Sequence, residues 1–72
     1  MTHTVVVMTP MPGGGWTYGK TFRPMVLTDA QRGYIKGMGA SLEDDGTTTW
    51  VRVDDDREVV GYLTRLKEEL RE

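Results

Sequence analysis

The stretch KTFRPMVL, residues 20–27, decides the fold, because it determines whether a strand or a helix follows the glycine-rich segment before it. Pro24 disfavours helical backbone at Arg23, and it cannot donate a hydrogen bond to a β-ladder. The β-branched Val26 nearby favours an extended chain. We therefore predict a strand over residues 20–27, at a sheet edge or carrying a bulge.

An apolar run precedes this stretch. Residues 2–9 contain Val5, Val6 and Val7, whose β-branched side chains crowd a helix and suit a sheet, so they predict a first strand. The segment 9–19 then holds two prolines and three consecutive glycines, which break regular structure. A loop of about ten residues is long for a compact domain, and such loops often carry function.

Residues 28–53 predict a short helix and a hairpin. Thr28 and Gln31 have the spacing of a capping box, which indicates a helix over 29–37 with Ala30, Tyr34 and Met38 on one face. Three glycines in this region leave an extended conformation of 33–43 open. The dipeptide Asp45-Gly46 is typical of a hairpin turn, and residues 47–53 alternate as a strand.

The C-terminal segment predicts an amphipathic helix of about fifteen residues, capped by the three aspartates at 54–56. Its apolar residues recur at spacings of four, three and four. The fold class that we predict is α+β: one domain over 1–72, with a small antiparallel sheet of about four strands packed on the C-terminal helix and a short helix after the second strand. The residues of the apolar stripe are Val59, Leu63, Leu66 and Leu70, with Val60 beside them.

The length of the chain predicts self-association. A chain of 72 residues buries only about 60% of its unfolded surface. The chain has no cysteine and no histidine–cysteine–aspartate pattern at ligand spacing, so we expect no disulfide, metal or cofactor to stabilise it. A dimer or larger assembly is therefore expected. No apolar run is long enough for a membrane span and no secretion signal is recognisable, so we expect a cytoplasmic protein without membrane contact.

Charge is distributed unevenly along the chain, although the net charge is only −2. Up to Leu42 there are four basic residues against one acidic residue, a balance of +3. From Glu43 onward ten acidic residues face five basic ones, a balance of −5. Such a split favours head-to-tail association, or an anionic partner for the first half.

Residues 14–21, GGWTYGKT, fit the pattern G-x-x-x-x-G-K-[ST] and resemble the phosphate-binding loop of nucleotide hydrolases over these eight residues. The resemblance implies that Lys20 reaches a phosphate and that a helix begins at Lys20 and Thr21. The predicted strand after Thr21 lacks that helix, and 72 residues do not hold the parallel fold of this family. Hydrolysis is therefore the least favoured function.

We favour a non-catalytic binding module whose loop, residues 13–23, contacts an anionic ligand or partner: a nucleotide, a nucleic acid or an acidic protein surface. The glycines can expose amides to an anion, the aromatic rings can stack on a base, and the basic residues supply charge. The alternative for this segment is a plain connection between strands. The candidate ligand-binding residues are Gly13, Gly14, Gly15, Trp16, Tyr18, Lys20, Thr21 and Arg23.

A second hypothesis is a protein-interaction or inhibitor module, such as a microbial or viral accessory factor, that acts through the C-terminal helix and a sheet edge. Aromatic and aliphatic side chains dominate the energetics of both cores and interfaces. The candidate interface residues are Trp50, Val59, Tyr62, Leu63, Leu66 and Leu70.

Overall fold

The computed structural model describes residues 3–70 and confirms the α+β class. Two β-hairpins alternate with two helices along the chain. The elements are β1 (Thr4–Pro10), β2 (Trp16–Phe22), α1 (Asp29–Lys36), β3 (Ser41–Asp44), β4 (Thr48–Arg52) and α2 (Arg57–Leu70).

The sheet is mixed, which corrects the prediction of a purely antiparallel sheet. Its strand order is β2-β1-β4-β3, and both hairpins are antiparallel. The central pair, β1 and β4, is parallel and runs in register from Thr4 opposite Thr48 to Met8 opposite Arg52. Parallel neighbours need a crossover connection, and α1 lies in the segment that supplies it here.

The first hairpin differs from the prediction in its boundaries. The loop covers 11–15 rather than 9–19, and β2 begins at Trp16 and ends at Phe22 rather than covering 20–27. Positive φ angles of 87°, 112° and 80° at the three consecutive glycines allow this tight reversal. The amide of Met11 donates to the carbonyl of Gly15 at 3.0 Å, which closes the loop. The strand ends before Pro24, which cannot continue the ladder.

The bulge that Pro24 suggested lies further upstream in β2. Val6 pairs with Thr21 and Met8 pairs with Tyr18, so three residue steps of β2 span two of β1. This extra residue shifts the alternation of side chains by one position. Phe22 therefore packs into the core, whereas Tyr18 lies with Met8 on the opposite face of the sheet.

The core lies between one face of the sheet and the two helices. In α1 the buried residue is Ile35, whereas Ala30 and Tyr34 of the predicted apolar face are exposed. Met38, which follows the helix, is half-buried and packs against the core, so the predicted face is wrong for the two residues within α1. Tyr34 is 57% exposed. The capping box of Thr28 and Gln31 is confirmed. The buried core consists of Val5, Val7, Phe22, Met25, Leu27, Ile35, Ala40, Val51, Val53, Val59 and Leu63.

Helix α2 begins at Arg57, directly after the predicted aspartates, and has 14 residues. The carboxylate of Asp55 accepts the amide of Arg57 at 3.1 Å and binds its guanidinium at 2.7 Å. These contacts hold the pKa of Asp55 down at about 2, the bond with the guanidinium contributing most. In the part of the chain that the structure describes, neither helix is long and apolar enough to cross a membrane.

The second hairpin has the predicted turn. Gly46 adopts a φ of +97°, and the amide of Asp45 donates to the carbonyl of Thr48 at 3.0 Å. The Asp45 carboxylate in turn accepts the amides of Thr47 and Thr48, at 3.2 and 2.8 Å. The turn therefore fixes this carboxylate at one end of the sheet.

Candidate functional site: the open face of the sheet

The face of the sheet that the helices leave uncovered carries the most distinctive group of side chains. Because successive side chains of a strand alternate between faces, Met8, Trp50 and Arg52 all point away from the helices. They line a shallow depression of about 350 Å³. We call this surface the open face and define it by its six lining residues, Met8, Tyr18, Glu43, Asp45, Trp50 and Arg52.

Two aromatic rings lie side by side on the open face. The centroids of Tyr18 and Trp50 are 5.8 Å apart, and their planes are tilted by 36°. Tyr18 is 70% exposed, and Trp50 is half-buried. Met8 lies at the floor and is only 6% exposed. The rings therefore cover the apolar floor and also present aromatic surface to solvent.

A hydrogen bond fixes the orientation of the indole. The Nε1 of Trp50 donates to the Oδ2 of Asp45 at 3.1 Å. This bond is the main cause that lowers the pKa of Asp45, and the amides of Thr48 and Thr47 lower it further. Asp45 is thus a carboxylate at neutral pH, next to an aromatic ring.

The other charges of the open face form an ion pair. The Nη1 of Arg52 lies 2.9 Å from the Oε1 of Glu43. Together with Asp45, the face carries two carboxylates and one guanidinium, a net charge of −1. The arrangement places excess negative charge beside exposed aromatic rings.

The eight predicted ligand-binding residues do not form one site. Gly13, Gly14 and Gly15 form the hairpin tip, where the amide of Gly14 already donates to the carbonyl of Met11 at 3.1 Å. Trp16 is 44% exposed on the first residue of β2. The remaining predicted residues divide between two surfaces: Tyr18 lies on the open face, and Lys20, Thr21 and Arg23 lie at the far end of β2 beside α2.

The distance along β2 explains this division. A strand advances about 3.3 Å per residue, so Trp16 and Phe22 are separated by about 20 Å. A single small anion cannot contact both ends. The predicted cradle of glycine amides, aromatic rings and basic side chains is therefore not formed around one centre.

The phosphate-binding loop of nucleotide hydrolases is not formed either. Lys20 and Thr21 lie within β2, and among residues 3–70 the first helix after them begins at Asp29. No helix N-terminus is thus directed towards a phosphate at this lysine, which that loop requires. The match over residues 14–21 is one of sequence without the corresponding geometry.

The predicted interface residues also separate. Trp50 lies on the open face, but Val59 and Leu63 are fully buried between α2 and the sheet of the same chain. They are core residues and are not available to a partner. Tyr62 and Leu66 are half-buried against that core, and the side chain of Leu70 lies outside the part of the structure that is described.

Four residues of the open face were not among the predicted site residues: Met8, Glu43, Asp45 and Arg52. In a strand over residues 47–53, Trp50 and Arg52 are two positions apart and share a face, so the sequence held that signal. The parallel pairing of β1 with β4 then brings Met8 next to Arg52, and no local pattern indicates a pairing between strands so distant in sequence.

Within residues 3–70 no group of three or more histidine, cysteine or acidic side chains has a geometry that could hold a metal ion. Comparisons with protein-family models, with curated proteins and with solved structures found no match for this chain.

Proposed function

We propose that this protein is a protein-binding module whose open face takes up an arginine or lysine side chain of a partner protein. The observation that carries the proposal is the Tyr18–Trp50 pair beside the ionised carboxylate of Asp45. This combination of aromatic rings and negative charge has the chemistry that attracts an organic cation.

The residue types of the open face are those that protein interfaces favour. Trp, Tyr, Met and Arg are enriched in the centres of interfaces, and Trp, Tyr and Arg dominate the measured binding energy. All four types meet here, in Trp50, Tyr18, Met8 and Arg52. A tyrosine that is 70% exposed beside a tryptophan is costly surface for a free monomer, which favours a partner that covers it.

The charges indicate what kind of side chain the partner presents. A cation over the face of a tryptophan or tyrosine gains about 0.5–1 kcal/mol at an exposed site and more when water is excluded. The carboxylate of Asp45 supplies a negative charge at the edge of the Trp50 ring. The net charge of −1 on this face also disfavours the phosphate backbone of a nucleic acid, which binds to basic surfaces.

Rigidity further supports binding at this face. Trp50 is on a central strand, and its ring nitrogen is held by Asp45, which is itself held by two amides of the turn. Binding of a partner therefore costs little conformational entropy at Trp50, because the ring is already ordered.

The test uses the fluorescence of Trp50. The chain has two tryptophans, so a Trp16→Phe background leaves Trp50 as the only indole. In this background the protein is titrated with an Arg-Gly repeat peptide, with a Gln-Gly repeat peptide of equal length and with a single-stranded oligonucleotide, at about 150 mM salt. We expect saturable binding of the arginine peptide alone.

Variants then locate the binding site. A minority of interface residues cost more than about 1 kcal/mol when truncated, and for Tyr18→Ala we expect a loss of about 1–2 kcal/mol, which weakens binding by about 5- to 30-fold. Tyr34→Ala is the matched control, because Tyr34 is similarly exposed but belongs to α1 on the helical side. Equal binding of the arginine and glutamine peptides, or tighter binding of the oligonucleotide, contradicts the proposal.

Self-association, which the short length of the chain predicts, is a further proposal for the same face. A second copy that docked on Tyr18 and Trp50 would give a mass in sedimentation equilibrium that rises with concentration. Tyr18→Ala would then shift the protein towards the monomer, whereas Tyr34→Ala would not. Pairing of two copies through the edge strand β2 is disfavoured, because the bulge in β2 and the charge of Lys20 both hinder edge-to-edge contact.

A further inference from the structure

A second surface lies between the end of β2 and helix α2, away from the open face. The groove has a volume of about 400 Å³, and both elements contribute basic side chains to its wall. We call this surface the basic groove. Its charged lining residues are Lys20, Arg23, Lys67 and Glu68.

The balance of charge in the basic groove is unusual for this chain. Three cations face one carboxylate, a net charge of +2, in a protein whose total charge is −2. Ion pairs among the described residues involve Arg32, Arg52 and Arg57, and none of the three groove cations takes part in them. Their charges are therefore not cancelled by a contacting carboxylate of the described chain.

One groove cation is held in place by the backbone. The Nζ of Lys67 donates to the carbonyl oxygen of Arg23, which joins the C-terminal half of α2 to the segment after β2. An ammonium group has three N–H donors, so two remain for a ligand. The contact positions the Lys67 ammonium but leaves its charge in place, whereas an ion pair would neutralise that charge.

From these observations we infer that the basic groove binds a small phosphate-type anion. Lys20, Arg23 and Lys67 supply positive charge from two elements around one depression of the size range of small-molecule sites. A compact dianion gains from several cations at once, whereas a monovalent anion gains little. The inference concerns a surface different from the open face and does not depend on the binding of a basic side chain there.

Pyrophosphate is the probe for this inference. Backbone amide shifts of the ¹⁵N-labelled protein are followed during a titration with sodium pyrophosphate, and sodium chloride of equal ionic strength serves as the control. We expect saturable shifts at Lys20, Arg23, Thr64 and Lys67 that chloride does not reproduce, and weaker binding at higher salt. Orthophosphate and a nucleoside triphosphate without magnesium, as further arms, distinguish free phosphate from a phosphate ester as the source.

Two variants separate charge from structure. Lys67→Gln removes the charge but keeps an N–H donor for the carbonyl of Arg23, and Lys20→Ala removes a charge on the other wall. Each is expected to weaken pyrophosphate binding at least fivefold. Lys36→Ala, which removes a lysine of α1 outside the groove, is expected to leave binding unchanged.

Glu68→Gln provides a variant with the opposite sign. Removing the single carboxylate of the groove is expected to strengthen pyrophosphate binding by about two- to fivefold, as one unit charge acts across a solvated groove. Shifts that follow ionic strength alone, or equal affinity in Lys20→Ala, Lys67→Gln and Glu68→Gln, would overturn the inference. Binding of the arginine peptide at the open face is unaffected by either result.

Discussion

The indole nitrogen of Trp50 donates to the Oδ2 of Asp45 at 3.1 Å, so the turn between β3 and β4 also positions the central ring of the open face. The same carboxylate caps the turn by accepting the amides of Thr47 and Thr48. A single aspartate thus connects the closure of a hairpin with the geometry of a candidate binding surface.

This connection predicts a pH dependence of the Trp50 environment. The pKa of Asp45 is lowered in the folded protein, mainly by the hydrogen bond from Trp50. The ionised carboxylate therefore stabilises the folded state fully when the pH is above the unfolded pKa of about 3.9, and this stabilisation is lost as the pH falls through the lower pKa of the folded protein. In the Trp16→Phe background, we expect Trp50 fluorescence to be constant from pH 7 to about 4 and to change below it.

Asp45→Asn is the control for this titration. The amide keeps an oxygen for the turn but has no carboxyl proton to gain, so the acid-induced change in fluorescence should disappear while the protein remains folded at pH 7. An identical acid transition in the variant would assign the change to another group.

A second prediction concerns Thr49, a fully buried polar residue on the helical face of β4. Its hydroxyl donates to the Oδ1 of Asp44 at 2.6 Å, and because that proton is used, the Nε2 of His3 must donate to the hydroxyl oxygen of Thr49 at 2.8 Å. Asp44 also pairs with Arg32 at 2.9 Å. The hydroxyl thus connects His3, the residue before β1, to the ion pair between β3 and α1.

Thr49→Val keeps the shape of the side chain but removes this link. We expect a loss of about 1–2 kcal/mol in the free energy of unfolding, measured with urea, because a buried hydrogen bond to a charged group is lost. Thr48→Val on the same strand, whose side chain is less buried, is expected to change stability by less than half as much. Equal losses would mean that the β4 backbone, not the hydroxyl, is responsible.

Local sequence signals predicted much of this fold. The capping box at Thr28, the turn at Asp45-Gly46 and the apolar stripe of α2 each depend on residues within a few positions of one another, and all three lie where they were expected. The pairing of β1 with β4 depends on contacts about 44 positions apart. No local pattern fixes such a pairing, and the mixed sheet was therefore not predicted.

The bulge in β2 explains why the site was predicted only in part. Trp16, Tyr18, Lys20 and Thr21 form one continuous stretch of sequence, which suggested one loop with one ligand. The extra residue of the bulge changes which side chains share a face, so Tyr18 joins the open face while Lys20 joins the basic groove. The chemistry of these residues was visible in the sequence, but their division was not.

The third prediction tests whether the stripe of α2 is core or interface. Leu63 is fully buried in the single chain, so Leu63→Ala leaves a cavity and should cost about 2–5 kcal/mol of unfolding free energy. Leu66→Ala, at a half-buried position of the same helix, is expected to cost clearly less. If Leu63 instead faced a partner, its substitution would lower the assembled mass while the monomer kept its stability, and sedimentation with urea unfolding distinguishes the two.

The last prediction uses two glycines to test the bulge that positions Tyr18. A Cβ added at Gly19 would lie 3.1 Å from the carbonyl oxygen of Val7 and 3.3 Å from the Oδ2 of Asp56. The Val7 oxygen belongs to the backbone of β1, which is paired with β4. Gly61, within α2, has no atom within 4 Å of the same position. We expect Gly19→Ala to destabilise the protein by about 1–3 kcal/mol through overpacking, and Gly61→Ala to stabilise it by about 0.5–1 kcal/mol through helix propensity.

Because Gly19 follows Tyr18 in the bulge, its substitution should also move the tyrosine ring away from Trp50 and weaken binding of the arginine peptide, which Gly61→Ala should leave unchanged. A Gly19→Ala variant with unchanged stability and unchanged peptide affinity would show that neither the close contact with Val7 nor the bulge determines the open face.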